Sequence, residues 1–247
     1  MSFDPEMAKL LVRLSRLAYR PEADIRIGLG AEGLMDVRFY NAVSTQAAVG
    51  YRDQLLFLAF RGTESANPRD WLTDSRFQPV VGELGGRVHS GFRGGLDEVW
   101  GEISSEVTAH GGDVVVTGHS LGAGLATLAA CRVHEMGRRV VALYTFGHPR
   151  TGLADFRDAF AAVLGDVTYN VINHIDLVTR VPLLIQGYRH VGHRMYFDAG
   201  GGFHPDASAT RIALDDVKYR LTHWGRIESI GFAPHEISAY MARVDLL

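Results

Sequence analysis

Residues 113–130, DVVVTGHSLGAGLATLAA, contain the turn that decides how this chain folds. The apolar run over 113–117 predicts a buried strand, and the small residues and leucines after Ser120 predict a closely packed helix. Gly118 and Gly122 enclose Ser120 in the pattern G-x-S-x-G, which is typical of a sharp strand-to-helix turn that exposes a serine hydroxyl above a sheet. The alternative is an ordinary turn serine, but the strand before and the helix after it favour a nucleophile.

The rest of the chain repeats this alternation of strand and helix. Strands are predicted at 36–43, 46–52, 54–60, 113–117, 140–147, 167–172 and 188–198, and helices near the N-terminus and at 92–109, 125–136, 153–164, 213–223 and after 235. Apolar strands that alternate with helices indicate an α/β fold with a mainly parallel central sheet flanked by helices. Because no repeat or linker interrupts the 247 residues, we expect a single domain over 1–247.

Composition excludes several other classes of protein. The formal net charge of −3 gives no surplus of positive charge to neutralise phosphates, so nucleic acid is not an expected partner. The single cysteine, Cys131, cannot form an intrachain disulfide. Asp4 and Glu6 stand where an export signal carries positive charge, so we expect no signal peptide, and either a cytoplasmic location or secretion by a signal-independent route. No apolar run reaches roughly 18 residues, so no transmembrane segment is expected.

A serine hydroxyl is a poor nucleophile unless a base takes its proton and an acid orients that base. In folds with this turn the chain order is serine, acid, histidine. Asp176 directly follows a predicted strand and is the expected acid, although an aspartate there could also only cap a turn. His235 lies in a predicted loop before the last helix and is the expected base, with His190 and His193 as alternatives.

Other histidines have simpler interpretations. His204 lies in the glycine-rich segment 198–208 and is expected to be exposed, and His223 ends a predicted helix, where it would complement the helix dipole. His190 and His193 are three residues apart on a predicted strand, so their side chains would face opposite sides and could not share a metal ion. We therefore predict no metal and no cofactor.

Seven segments, taken together and in order, resemble one known family. They are LLFLAFRGTES (55–65), RDWLTDSRF (69–77), RVHSGFRGGLDEV (87–99), TGHSLGAGLATLAA (117–130), NHIDLVTRVP (173–182), YRHVGHRMYF (188–197) and PHEISAYM (234–241). In these segments the chain resembles the class 3 lipases, the fungal-type triacylglycerol lipase family with the α/β-hydrolase fold, over about residues 50 to 245.

The resemblance implies a catalytic triad of Ser120, Asp176 and His235, the same three residues that chain order suggests. It also implies that Thr63 belongs to the oxyanion hole. A backbone N–H at the end of a buried strand can point at a tetrahedral oxyanion, and the N–H of Leu121 at the start of the next helix is the expected second donor.

The family has a lid helix after the oxyanion turn, and here this place is taken by ESANPRDWLTD (64–74). Trp71 and Leu72 are its main apolar side chains, and Trp71 either belongs to this possible lid or anchors the turn that follows. Because so short a cover exposes little apolar surface, we expect at most transient contact with a lipid interface and no strong interfacial activation.

The resemblance and the candidate residues together predict a cofactor-independent ester hydrolase whose substrate is an acylglycerol or a similar fatty acyl ester. A related phospholipase or thioesterase remains an alternative, because a triad does not choose the leaving group. A non-catalytic binding module on the same fold would be favoured by a missing triad member, and all three residue types are present.

Overall fold

The structure is a computed structural model that describes residues 2–62, 78–222 and 233–247. The helices in these ranges are α1 (Pro5–Leu17), α2 (Glu22–Ala31), α3 (Ser90–His110), α4 (Leu121–Glu135), α5 (Ala154–Leu164), α6 (Ala209–Thr222) and α7 (Ile237–Val244). The strands are β1 (Met35–Asn41), β2 (Gln46–Arg52), β3 (Leu55–Phe60), β4 (Pro79–Val81), β5 (Arg87–His89), β6 (Asp113–His119), β7 (Val140–Phe146), β8 (Thr168–Asn173), β9 (His193–Phe197) and β10 (Phe203–His204).

The main sheet of the described residues has eight strands in the order β1-β2-β3-β6-β7-β8-β9-β10. The five strands β3, β6, β7, β8 and β9 run parallel to one another. At the two sides of the sheet the pairing is antiparallel, between β1 and β2, between β2 and β3, and between β9 and β10. Strands β4 and β5 form a separate antiparallel pair. The carboxyl ends of the central parallel strands therefore meet at one edge of the sheet, where loops can assemble a site.

Strand β6 shows why the centre of the sheet is buried on both faces. Val114 and Val116 pack in one hydrophobic cluster with α3, α4 and α5, whereas Val115 packs in a second cluster with α1, α2 and α7. This division follows from the alternation of side chains along a strand. No helix within the described ranges is long and apolar enough to cross a membrane.

Three local features differ from the sequence-based expectations. Helix α2 was not predicted. The strand expected over 188–198 begins only at His193, because Gly192 turns the chain with a φ of +65° and Arg189 pairs with Gly152 instead. His204 is not an exposed loop residue: the Asp198 N–H donates to Gly202 O at 2.9 Å and folds the segment into a hairpin, which leaves the side chain of His204 only 25% exposed.

Candidate active site

Ser120 occupies the tight turn between β6 and α4. Its backbone has φ 59° and ψ −127°, a conformation that costs energy for a residue with a side chain. Two hydrogen bonds hold it there, from the Ser120 N–H to the Phe146 carbonyl at 3.0 Å and from the Ala123 N–H to the Ser120 carbonyl at 2.9 Å. The strained turn aims the hydroxyl away from the sheet and out of the helix.

The two glycines of the motif allow the backbone to approach this closely. A Cβ atom on Gly118 would lie 2.2 Å from the carbonyl oxygen of Gly122, and one on Gly122 would lie 2.3 Å from the carbonyl oxygen of Phe60. Both obstacles are backbone atoms, which cannot move aside as a flexible side chain can. Any larger residue at either position would therefore push β3, β6 and α4 apart.

The structure brings Ser120, His235 and Asp176 into one row of hydrogen bonds. His235 lies in a 3₁₀ turn, Ala233–His235, just before α7, and its Nε2 is 2.7 Å from Ser120 Oγ. The Nδ1 atom of the same ring is 2.8 Å from Asp176 Oδ2. Because an ionised carboxylate can only accept, Nδ1 carries the ring proton and Nε2 is free to accept the proton of Ser120. This geometry allows the imidazole of His235 to take the proton of the Ser120 hydroxyl.

Asp176 is buried at the end of β8, with 1% of its surface exposed. Burial by itself raises the pKa of a carboxyl group, but the charge of His235 and hydrogen bonds from His235, Tyr240 and Val178 N–H reverse this effect and lower the pKa of Asp176. The Val178 N–H donates to Oδ1 at 2.8 Å and the Tyr240 hydroxyl donates to Oδ2 at 2.6 Å. The carboxylate is thus kept ionised although it has little contact with water.

Sequence reasoning did not include Tyr240 among the candidate site residues. Its hydroxyl, which donates to Asp176, also accepts a hydrogen bond from the Asn173 N–H at 3.2 Å. The Asn173 side chain in turn donates to the carbonyl of Pro234 at 2.9 Å. These contacts fasten β8, α7 and the turn that carries His235 to one another. The five-residue spacing from His235 to Tyr240 is the only signal in the sequence.

Sequence reasoning also missed His119, which is the residue directly before Ser120. Its Nε2 donates to the carbonyl of His235 at 2.7 Å, and its Nδ1 accepts from the Tyr19 hydroxyl at 2.8 Å. The two imidazole rings stack with their centroids 4.7 Å apart. Burial, and then the charge of His235, lower the pKa of His119 to about 3, so His119 stays neutral and acts as a fixed donor that positions His235.

Of the remaining predicted site residues, only Leu121 lies among the residues that the structure describes. Leu121 is the first residue of α4, so its N–H is one of the donors that a helix start leaves without an intrahelical partner. This N–H lies directly beside Ser120, where an oxyanion would form. Thr63, Trp71 and Leu72 lie outside the described residues.

The alternative histidines are engaged elsewhere in the described structure. His193 Nδ1 is 2.6 Å from Asp206, and His190 Nε2 donates to the Thr179 carbonyl at 2.8 Å. Neither ring bonds to Ser120. Within 2–62, 78–222 and 233–247, no group of three or more histidine, cysteine or acidic side chains is arranged to hold a metal ion.

Curated proteins with similar sequences include secreted fungal lipases. The chain is 35% identical over 159 residues to the secreted mono- and diacylglycerol lipase 1 of Fusarium solani, covering 62% of this chain and 47% of that protein. It is 30% identical over 168 residues to a lipase of Rhizomucor miehei, covering 62% and 44% of the two chains. The chain therefore spans about half the length of the curated relatives it matches.

Solved structures of fungal lipases confirm the predicted fold, and a match to a family of sequences identifies the family. The mono- and diacylglycerol lipase of Aspergillus oryzae superposes with a TM-score of 0.69 at 22% identity, over 84% of this chain and 87% of that one. The triacylglyceride lipase of Rhizomucor miehei gives 0.68 at 22% identity, over 88% and 92%. This likeness identifies the α/β-hydrolase fold. Residues 57–186, more than half of the chain, match the family described as Lipase (class 3), and the protein belongs to that family.

Proposed function

We propose that this protein is a cofactor-independent serine hydrolase that cleaves fatty acyl esters, with acylglycerols as its substrate class. The observation that carries the proposal is the continuous row of hydrogen bonds from Ser120 Oγ through His235 to the buried Asp176. The names of the relatives support the substrate class, since those from Fusarium solani and Penicillium cyclopium are secreted mono- and diacylglycerol lipases.

In the proposed reaction, His235 Nε2 takes the proton of Ser120 while the oxygen attacks the ester carbonyl. Asp176 orients the imidazole and stabilises its positive charge without taking the proton itself. The N–H groups of Leu121 and Thr63 stabilise the oxyanion of the tetrahedral intermediate. His235 then protonates the departing alcohol, and in the second half it activates water to release the fatty acid from Ser120.

The proposal includes transient contact with a lipid surface through Trp71 and Leu72. Because these side chains offer little apolar area, hydrolysis should rise only modestly when an ester passes its solubility limit. Rates measured across ester chain lengths, in solution and in emulsion, test this part. A jump that occurs only in emulsion would refute the weak interfacial dependence while leaving the triad intact.

The first test replaces the nucleophile. Ser120→Ala should lower turnover of p-nitrophenyl esters by a factor of about 1,000 or more and abolish labelling by a fluorophosphonate probe, because no other group can form the acyl-enzyme. Ser105→Ala is a matched control, since Ser105 is an exposed serine whose hydroxyl donates to the Gly101 carbonyl of its own helix, α3. Folded Ser120→Ala protein that still turns over esters near the original rate would reject the assignment.

A panel of glycerol esters, phospholipids and thioesters then identifies the leaving group. We expect glycerol esters to be hydrolysed fastest. Higher kcat/KM on phospholipids or thioesters would keep the triad and overturn the proposed substrate class.

A further inference from the structure

A cavity lies behind the loop that carries Asp176. Its volume is about 830 Å³, within the range of ligand-binding pockets. The walls are formed by β8, β9, α6 and the 3₁₀ turns Val178–Arg180 and Leu184–Gln186. None of Ser120, His235 and Asp176 lines this cavity, so it is separate from the proposed reaction site.

Arginines dominate the charge of this cavity. Its lining contains Arg150, Arg157, Arg180, Arg189 and Arg194 but only two aspartates, Asp166 and Asp216. Arg180 is paired with Asp216 at 2.8 Å, and Arg157 with the neighbouring Asp158 at 2.7 Å. The other three arginines have no carboxylate partner among the residues that the structure describes.

Arg150, Arg189 and Arg194 are therefore the uncompensated cations of the cavity. Arg150 is 8% exposed and its guanidinium donates to the carbonyls of Arg180 and Pro182. Arg189 donates to the carbonyls of Leu184 and Tyr188 at 3.1 and 2.9 Å. The Arg194 side chain has no hydrogen bond or ion pair with any described residue.

The surroundings of these groups make their positive charge unfavourable. Burial, and then repulsion from Arg189, Arg194 and Arg180, lower the pKa of Arg150 to about 10. Burial also lowers the pKa of Arg194. His190, in the same wall, has a pKa well below its ordinary value because of burial first and Arg150 second, and so contributes no charge at neutral pH. Buried cations of this kind are costly unless an anion offsets them.

The mouth of the cavity is apolar. Leu183, Leu184 and Val217 line it and are 53%, 56% and 53% exposed. Large aliphatic side chains exposed together beside a polar pocket are a common feature of ligand-binding sites. A ligand that pairs with the arginines and also covers these aliphatic side chains needs a negatively charged head and a hydrocarbon chain.

We propose that this cavity binds an anionic amphiphile, whose carboxylate or phosphate head pairs with Arg194, Arg150 and Arg189 while its alkyl chain covers Leu183, Leu184 and Val217. Guanidinium groups suit such heads because they donate two parallel hydrogen bonds to two oxygens. The fatty acid released by ester hydrolysis is one such molecule, and this choice of natural source rests on the proposed function.

Calorimetric titration of Ser120→Ala protein tests the proposal without any dependence on hydrolysis. Laurate and dodecyl phosphate, used below their micellar concentrations, should bind, and dodecanol should bind at least 10-fold more weakly because it lacks the charge. Adding Arg194→Gln should weaken laurate binding by about 10-fold or more, the effect of removing a charge-assisted pair. Adding Arg138→Gln is the matched control: Arg138 lies outside the cavity lining, is partly exposed before β7, donates to the carbonyl of Gly111 at 3.2 Å and should change nothing.

The probes also identify the source of the head group. Tighter binding of laurate would indicate a fatty acid, and tighter binding of dodecyl phosphate would indicate a phospholipid head; both support the site. Arg189→Gln provides a second variant if Arg194→Gln does not fold. Laurate affinity that is equal in the folded arginine variants and in their parent would overturn the proposal. So would inorganic phosphate that binds as tightly as dodecyl phosphate, since the alkyl chain would then contribute nothing.

Discussion

The loop from Asp176 to Arg180 lies between two polar regions that differ in charge. The charges of one region are paired, and the other region has an excess of positive charge. On one side, Asp176 accepts hydrogen bonds from three donors and its charge is matched by His235 when that ring is protonated. On the other side, Thr179 and Arg180 line a cavity in which three arginines have no carboxylate partner within 2–62, 78–222 and 233–247. The same short segment thus borders a region with matched charges and one with an excess of positive charge.

The difference indicates how each region can work. Fully partnered groups hold one geometry, so a reacting substrate meets donors and acceptors that are already oriented. Unpartnered buried cations destabilise the protein until something neutralises them, and this favours binding of an anion. Substitutions that remove a partner from the first region should impair turnover, whereas removal of an unpartnered cation from the second should stabilise the free protein.

The largest effect is expected for Asp176→Asn. The amide group of asparagine can donate to His235 Nδ1 and favour the wrong tautomer, and it has no charge to stabilise an imidazolium, so kcat should fall by about 10,000-fold. Glu106→Gln is the matched control, because Glu106 is also a buried carboxylate with a lowered pKa, held by Arg38, Tyr40 and Tyr51 on the far side of the fold. It should lose stability and keep its kcat. Similar kcat values for the two variants would contradict the role of Asp176.

The lowered pKa of Asp176 also has a consequence for stability against pH. Because the folded pKa lies below the unfolded value of about 4, the ionised carboxylate contributes stability above pH 4 that is lost as the pH falls through the folded pKa. Urea unfolding at several pH values should therefore show a shallower loss of stability below about pH 4 in Asp176→Asn than in the wild type. Parallel curves would show that the charge of Asp176 does not stabilise the fold.

A smaller loss of activity is expected for Gly147→Ala. Gly147 has a φ of +61°, and a Cβ there would lie 2.8 Å from His235 Cε1 and 3.0 Å from Asp176 Oδ2. Displacing either side chain should lower kcat about 100-fold. Gly137→Ala is a close control, since Gly137 has a φ of +71° and open space at the Cβ position. Both variants should lose about 1 to 2 kcal/mol of stability from the left-handed backbone, and equal kcat values would rule out the steric explanation.

Tyr240→Phe should have a milder effect. It removes one donor to Asp176, so the pKa of Asp176 should rise and kcat should fall about 10-fold, the lower end of the range for a hydrogen bond to a charged group. Tyr144→Phe is the control, because the Tyr144 hydroxyl is also buried but accepts from the Asp4 N–H at 2.9 Å, away from the triad. An unchanged pH profile and kcat in Tyr240→Phe would limit that residue to packing.

Local patterns were sufficient to predict the fold and the candidates Ser120, Asp176 and His235, because each is tied to a strand end or a turn with its own signal. The roles of His119 and Tyr19 could not be predicted in this way, since their contact joins residues 100 positions apart and depends on how α1 packs on the sheet. Strand β9 was predicted too long because alternation continues through Gly192, whose positive φ is invisible in an apolar pattern. The arginine cavity needs α6 to lie beside β8 and β9, and no short segment carries that information.

The smallest expected effect is a change in the free energy of unfolding when one arginine of the cavity is replaced. Arg194→Met removes a partly buried cation that has no partner among the described residues and leaves an apolar chain of similar length. In the absence of ligand it should raise the free energy of unfolding by about 1 kcal/mol. Arg180→Met removes an arginine from the same cavity together with its 2.8 Å ion pair to the largely buried Asp216, so it should lower that free energy by a similar amount. Urea midpoints at an unchanged m-value measure both, and destabilisation of equal size in the two variants would mean that Arg194 is already neutralised in the free protein.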